Sequence, residues 1–295
     1  MLELNGVTRS FGATRALSDV SFTVEPGRMT GFVGANGAGK TTSMRIILGV
    51  LTPDTGQVRF NGEDLGAAQR RRFGYMPEER GLYPKMRVAE HIVYLARLHG
   101  MTHADATRNT TRLLERLGLA ERASATIESL SLGNQQRAQI AAALVHDPEV
   151  LVLDEPFSGL DPIAVEVVQA VLKEHAAAGA CVLFSSHQLD IVERLCDDLV
   201  VIAGGIVRAS GSRQVLQSAH GLSQYELVVP GDAVWLHAIA GITVLHADGG
   251  GKVQFHAETP DAAQSVLREA LARGPVLRFA PQEATLAQIF REVIQ

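Results

Sequence analysis

The stretch Gly34-Ala35-Asn36-Gly37-Ala38-Gly39-Lys40-Thr41-Thr42 fits the spacing G-x-x-x-x-G-K-[ST], a pattern that few folds can accommodate. The apolar run Met29-Thr30-Gly31-Phe32-Val33 before it reads as a buried strand, and Ser43 to Gly49 after it reads as a helix ending near Gly49. Strand, glycine loop and helix start, in that order, aim several backbone N–H groups and the positive end of a helix dipole at one anion. Gly34, Gly37 and Gly39 omit the Cβ atoms that would hold the backbone off a phosphate, and Asn36, Ala38 and Thr42 complete the wrap. Lys40 is placed to reach β- and γ-phosphates, and the Thr41 hydroxyl to ligate Mg²⁺. A glycine-rich turn without function would need neither flanking element. The expectation is a nucleoside triphosphate site.

Size and charge narrow the rest. A chain of 295 residues holds one large domain and a smaller one, or two moderate ones. A hydrophobic fraction of 46% with 20% charged residues is ordinary for a soluble globular protein. No apolar run is long enough to cross a bilayer, and Met1-Leu2-Glu3-Leu4-Asn5 lacks the basic start of a signal peptide. Cys181 and Cys196 have no metal-ligand spacing and read as buried thiols in a reducing, cytoplasmic compartment. A net charge of −5 argues against nucleic acid as a partner, and a solvated surface accounts for the one basic run, Arg70-Arg71-Arg72.

Along the chain, β-like runs at Leu2 to Leu4 and Ala16 to Val24 precede the turn Pro26-Gly27. Gly56 to Phe60 and the turn Asn61-Gly62 read as a hairpin leading to a strand around Phe73 to Met76. Val88 to Leu119 has helical spacing, with Ile92, Leu95, Ala96 and Leu98, then Leu113, Leu114 and Leu117. Strand character returns at Val150 to Leu153, Cys181 to Phe184 and Leu199 to Ile202. The helix from Pro162 has Asp161 as N-cap and Gly179 beyond its end. Strands alternating with helices imply an α/β fold with a mostly parallel sheet. After a break at Gln217 to Gly221 the order becomes β-α-β-β-α-β. Its strands are expected at Tyr225 to Val229, Ile242 to His246, Lys252 to Ala257 and Val276 to Phe279. Its helices are expected at Ala233 to Ala240 and Asp261 to Ala272, with a last helix at Thr285 to Val293. That is the ferredoxin-like order of a small α+β domain. The domains are therefore read as residues 1–217 and 222–295.

Asp154 and Glu155 follow the strand Val150 to Leu153. An acid at the end of a buried strand in a phosphate-cradle protein is placed to hold Mg²⁺, and a neighbouring carboxylate can polarise an attacking water. Alone, two acids at a strand-to-loop boundary would be as ordinary. Three further stretches stand in order: Ser129-Leu130-Ser131-Leu132-Gly133-Asn134-Gln135-Gln136-Arg137, Ser158-Gly159-Leu160-Asp161 and Ser185-Ser186-His187. Phe11-Gly12 lies ahead of Ala16-Leu17. Together, over about Leu2 to Val215, these resemble the ATP-binding subunit of ABC transporters.

The resemblance implies an ABC-type ATPase with a mostly parallel core sheet, an antiparallel β subdomain and a helical subdomain over about 88–146. It identifies Ser131, Gly133 and Asn134 as the signature, Asp161 as part of the D-loop, His187 as the switch histidine and Phe11 as the ring that stacks on adenine. Beside the resemblance, Ser131 and Gly133 begin a helical run and so offer N–H donors to phosphate. A helix cap, a surface histidine and a core phenylalanine are the plainer readings of the same residues. The arrangement implied is a homodimer with each ATP–Mg²⁺ held between the cradle of one copy and the signature of the other. Lys40, Glu155 and His187 would be catalytic, and Thr41 and Asp154 would hold the metal.

Two positions depart from the family pattern. Glu78, in Tyr75-Met76-Pro77-Glu78-Glu79-Arg80-Gly81-Leu82-Tyr83, stands where glutamine is usual, so it is read as a metal- or nucleotide-contacting carboxylate at a subdomain hinge. Leu132 stands where glycine is commonest. The Glu78 loop and the C-terminal domain together look like the efflux branch, similar to sodium- or drug-export ATPases. A separate transmembrane permease is then the implied partner, with this chain peripheral on the inner face of the membrane. A soluble ABC-type ATPase of assembly, repair or ribosome function is the alternative. The transported substance is not written in the chain.

Overall fold

The computed structural model describes residues 1–79, 81–221, 224–282 and 285–294. Arg80 of the Glu78 loop, and the expected start of the second domain at position 222, lie outside the described residues. Two compact units are present, residues 1–212 and residues 213–293.

The first unit is built around strands that differ in how much water they meet. β1 (Leu2–Phe11) and β2 (Thr14–Val24) bury Leu2, Leu4, Val7, Leu17, Val20, Phe22 and Val24 in rough alternation, as a sheet with one wet face requires. β3 (Met29–Val33) is buried at every residue. It feeds α1 (Lys40–Ile47), which starts three residues earlier than the spacing predicts. β4 (Thr55–Phe60) and β5 (Glu63–Asp64) form the expected hairpin, followed by α2 (Ala67–Arg70) and β6 (Phe73–Met76). Arg70 is less solvated than expected: its Nε donates to the Ile47 carbonyl 2.9 Å away at the end of α1.

The helical region is two helices, α3 (Val88–Leu98) and α4 (His103–Arg116), because Gly100 turns the chain at φ +90° and Thr102 caps the start of α4. Both pack on α5 (Leu132–Leu144). Then come β7 (Val150–Leu153), α6 (Pro162–Ala177), β8 (Cys181–Ser186), α7 (Leu189–Leu195), β9 (Asp198–Ala203) and β10 (Ile206–Ser212). As expected, Asp161 caps α6, its carboxylate accepting from the Ala164 N–H at 2.8 Å.

β3, β6, β7, β8 and β9 pair in parallel in the order β10-β9-β3-β8-β7-β6, with β10 antiparallel at one edge. The second sheet is antiparallel, in the order β2-β1-β4-β5. One apolar cluster joins the two sheets across α1, where Phe22 stands 5.2 Å from Phe32 and Phe60 stands edge-on to Phe73 at 5.5 Å. This layering brings the carboxyl ends of β3 and β7 to one place. Cys181 and Cys196 are buried free thiols, as expected.

The second unit begins with α8 (Arg213–Gly221) and β11 (Gln224–Val228). β12 (Ile242–Ala247), β13 (Lys252–Ala257), α9 (Pro260–Arg273), β14 (Arg278–Pro281) and α10 (Leu286–Ile294) complete it. Its sheet runs β12-β13-β11-β14, antiparallel throughout, which is the ferredoxin-like strand order. The helix expected at Ala233 to Ala240 is only a 3₁₀ turn over Val234–Ala238. Pro230, Gly231 and the turn at Gly241 leave too few residues for a helix to repay its nucleation.

The first unit also carries a titratable contact. The rings of His99, after α3, and His146, after α5, stack with centroids 3.6 Å apart, and His146 Nε2 lies 3.1 Å from the Phe73 carbonyl. Burial, reinforced by the charge of His99, lowers the His146 pKa from 6.5 to about 4. The unfolded chain therefore takes up this proton at a higher pH than the fold does, and the associated stability is complete above pH 6.5 and lost as pH falls toward 4. Replacing His146 with non-titrating glutamine should flatten the fall in urea midpoint between neutral and mildly acidic pH. An unchanged slope would remove His146 from the acid response.

Candidate active site

The cradle lies at the carboxyl end of β3. Gly39 is the N-cap of α1 at φ +112°, and a Cβ there would come within 2.6 Å of Leu17 Cδ2. At Gly34 a Cβ would lie 2.4 Å from the Ile202 carbonyl. Only glycine lets the loop press this closely against β2 and β9. No side chain caps α1 and its first turn has no acid, so its N–H groups and dipole point unopposed into the cleft. Lys40, 7% exposed, folds over the loop and donates to the carbonyls of Gly34 at 2.6 Å and Ala35 at 3.3 Å.

Opposite it stands the carboxyl end of β7. Thr41 Oγ1 donates to Asp154 Oδ2 at 3.0 Å, and Ser185 Oγ donates to Asp154 Oδ1 at 2.5 Å. The Ser185 hydroxyl also accepts from the Glu155 N–H at 2.9 Å. Glu155 adopts φ +52°, costly for a side-chain-bearing residue, while Gln136 Nε2 donates to its carbonyl at 3.0 Å. That held backbone presents the Glu155 carboxylate, 7% exposed, to the cleft, where Oε1 lies 3.0 Å from Nδ1 of His187. Tyr75 sits beside the acids, its pKa pushed up by burial and then by the charge of Asp154.

The cleft encloses about 260 Å³ and gathers Asn36, Gly37, Gly39, Lys40, Thr41 and Thr42 with Glu78, Asp154 and Glu155. Gly34 and Ala38 lie behind this surface, buried in the loop. Ala16 also lines the cleft, though nothing in the sequence singles it out. Phe11 stands outside at the end of β1, 47% exposed, with the Arg9 guanidinium 5.0 Å from its ring centroid. Ser131, Gly133 and Asn134 do not line the cleft either. Ser131 caps α5, its hydroxyl accepting from the Asn134 N–H at 3.4 Å, and Leu132 beside it is 59% exposed. A larger cavity, about 490 Å³ between α4 and α6, has its charges paired as Arg112–Asp147 and Arg116–Glu174; the chemistry belongs to the smaller one.

Ser185, Gln136 and Gln139 are the residues that sequence reasoning missed. Ser185 had a signal, a hydroxyl at the end of a buried strand two residues before His187. The glutamines had another, polar side chains on the buried face of a helix. Ser185→Ala removes a donor from Asp154 and an acceptor from the Glu155 amide. It should cost about 1–3 kcal/mol in urea unfolding, and a loss below about 0.5 kcal/mol would show that the hydroxyl is not needed.

Comparison with known proteins agrees with the geometry. The family described as "ABC transporter" matches residues 17–158, and the "ATP-binding protein DrrA1-3-like, C-terminal domain" matches residues 211–294. The chain is 35% identical over 294 residues to the uncharacterized ABC transporter ATP-binding protein YhaQ of Bacillus subtilis, covering 100% of this chain and 98% of that one. It is 33% identical to Nod factor export ATP-binding protein I of Burkholderia lata, over 98% of this chain and 95% of that one. A solved ATP-binding subunit of an ABC transporter superposes with a TM-score of 0.70 at 34% identity, covering 75% of this chain and 94% of that one. With its cradle, paired acids and C-terminal domain all matched, the chain belongs to the ATP-binding proteins of ABC transporters, and its activity is ATP hydrolysis.

Proposed function

We propose that this chain powers export, acting as two copies clasped around two ATP molecules on the cytoplasmic face of a separate membrane-spanning permease. The observation that carries the reading is the meeting in one cleft of an uncapped helix N-terminus, Lys40, the Thr41–Asp154 pair and the Glu155–His187 pair. Hydroxyl and carboxylate oxygens 3.0 Å apart suit Mg²⁺, which takes few protein ligands and completes its shell with phosphate and water. Bound there, Mg²⁺ would neutralise charge on the β- and γ-phosphate oxygens. Lys40 and the α1 amides stabilise the transferring phosphoryl group, Glu155 takes the proton of the attacking water, and His187 orients Glu155. Phe11, exposed at the end of β1, stacks on adenine.

Two features support pairing of copies. Ser131 and Leu132 of the signature turn are exposed, and the turn does not line the chain's own cleft. A Cβ at Gly133 would make only ordinary contact, 3.5 Å from the Gly159 carbonyl, so its own chain does not require glycine there. A phosphate approaching from a second copy would. The separate permease is inferred because no helix among the described residues is long and apolar enough to cross a membrane. Likeness along nearly the full length to an export ATP-binding protein favours export over a soluble assembly role.

Glu155→Gln should lower ATP turnover by about 10²–10⁴-fold while ATP binding persists. With ATP and Mg²⁺ that variant should elute from size exclusion as a dimer. Turnover at the parental rate, or a monomer under those conditions, would defeat the proposal. Co-purification of the parent chain with a multi-spanning membrane protein separates transport from soluble assembly.

A further inference from the structure

We infer that Gln139 is a positioning residue that ties the Glu78 loop to the signature helix. It rises from the middle of α5 and is 3% exposed. Its Nε2 donates to the Pro77 carbonyl at 2.7 Å and the Glu79 carbonyl at 3.2 Å, one on each side of Glu78. Among the described residues, no other hydrogen bond reaches the main chain of Pro77 to Glu79. Glu78 itself is exposed and lines the nucleotide cleft. Among the described residues, the main chain of Pro77 to Glu79 is therefore hydrogen-bonded through one side-chain amide.

The amide is also an odd choice for mere filling. Its Oε1 is buried without a hydrogen-bond partner, a penalty that an apolar side chain of the same length would avoid. What glutamine adds at this position is two donors, both directed at the Glu78 loop. One turn earlier on the same helix, Gln136 Nε2 donates to the Glu155 and Pro156 carbonyls at 3.0 and 3.2 Å. So α5, capped by Ser131, holds the loop of the water-activating acid through Gln136 and the Glu78 loop through Gln139. A displacement of the signature turn moves both loops with it, because two buried amides leave no slack. Gln139 thereby acts on turnover through Glu78, which rests on the reading of Glu78 as a contact to nucleotide or metal.

The test uses the full chain, with Gln139→Met keeping length and burial but removing both donors. Its kcat for ATP should fall about tenfold or more with KM changed by less than about twofold, because the cradle still binds ATP while the loop is misplaced. Adding Glu78→Ala should lower kcat no further than Glu78→Ala alone, since both changes act on one element. A nitroxide attached at Glu79→Cys should report a faster-moving loop in Gln139→Met than in the parent, while one attached at the exposed Leu132→Cys on α5 reports the same motion in both. A kcat loss that multiplies in the double variant overturns the proposal, as does unchanged nitroxide motion at position 79. If Glu78→Ala turns over at the parental rate, the role given to Glu78 falls; faster loop motion in Gln139→Met then still upholds the tether.

Discussion

A helix that starts without a cap is the constraint on which the first unit depends. The opening amides of α1 have no side chain to accept them, its first turn holds no acid, and Lys40 adds a buried positive charge. Orphan donors and a buried cation both cost free energy unless something polar meets them. Among the described residues the relief for Lys40 is the pair of loop carbonyls at Gly34 and Ala35. A triphosphate satisfies all of these groups together. The fold holds them ready because β3 and its neighbours are buried on both faces and cannot relax toward a better-capped arrangement.

The acidic side of the cleft is organised by the same economy of partners. Asp154 accepts from two hydroxyls, one on α1 and one on β8, so its position reports on both elements. Glu155 keeps a backbone conformation that side-chain-bearing residues avoid, because its N–H and its carbonyl are each held by a buried side chain. Backbone strain is thus placed at a residue whose carboxylate lines the cleft. The helix that restrains it, α5, begins at the exposed signature turn, so a contact made outside the chain has a short, stiff route to the cleft.

Legibility tracked the range of the interactions. The cradle and the strand-end acids were readable because each depends on residues adjacent in sequence. So was the strand order of the second unit, since alternating runs and turn residues leave few other topologies. The break at Gly100 was missed because apolar spacing continues across it, and β10 because its residues face water and show no buried stripe. The helix over Ala233 to Ala240 failed for the opposite reason: the spacing was present but the space between flanking turns was not. Ser185, Gln136 and Gln139 matter only through partners distant in sequence, so nothing local distinguishes them from polar residues that merely pack.

The sequence by itself determined that a phosphate would be wrapped, since glycine, lysine and threonine at that spacing leave the backbone and the dipole little else to do. It also determined which strand would carry the opposing acids. Only the tertiary structure decided how those acids are held: through a serine on β8, a histidine beyond it and a glutamine on a helix of another subdomain. The physical reason is that buried hydrogen bonds choose partners by distance in space, after the apolar strands have packed, and periodicity along the chain does not record that distance.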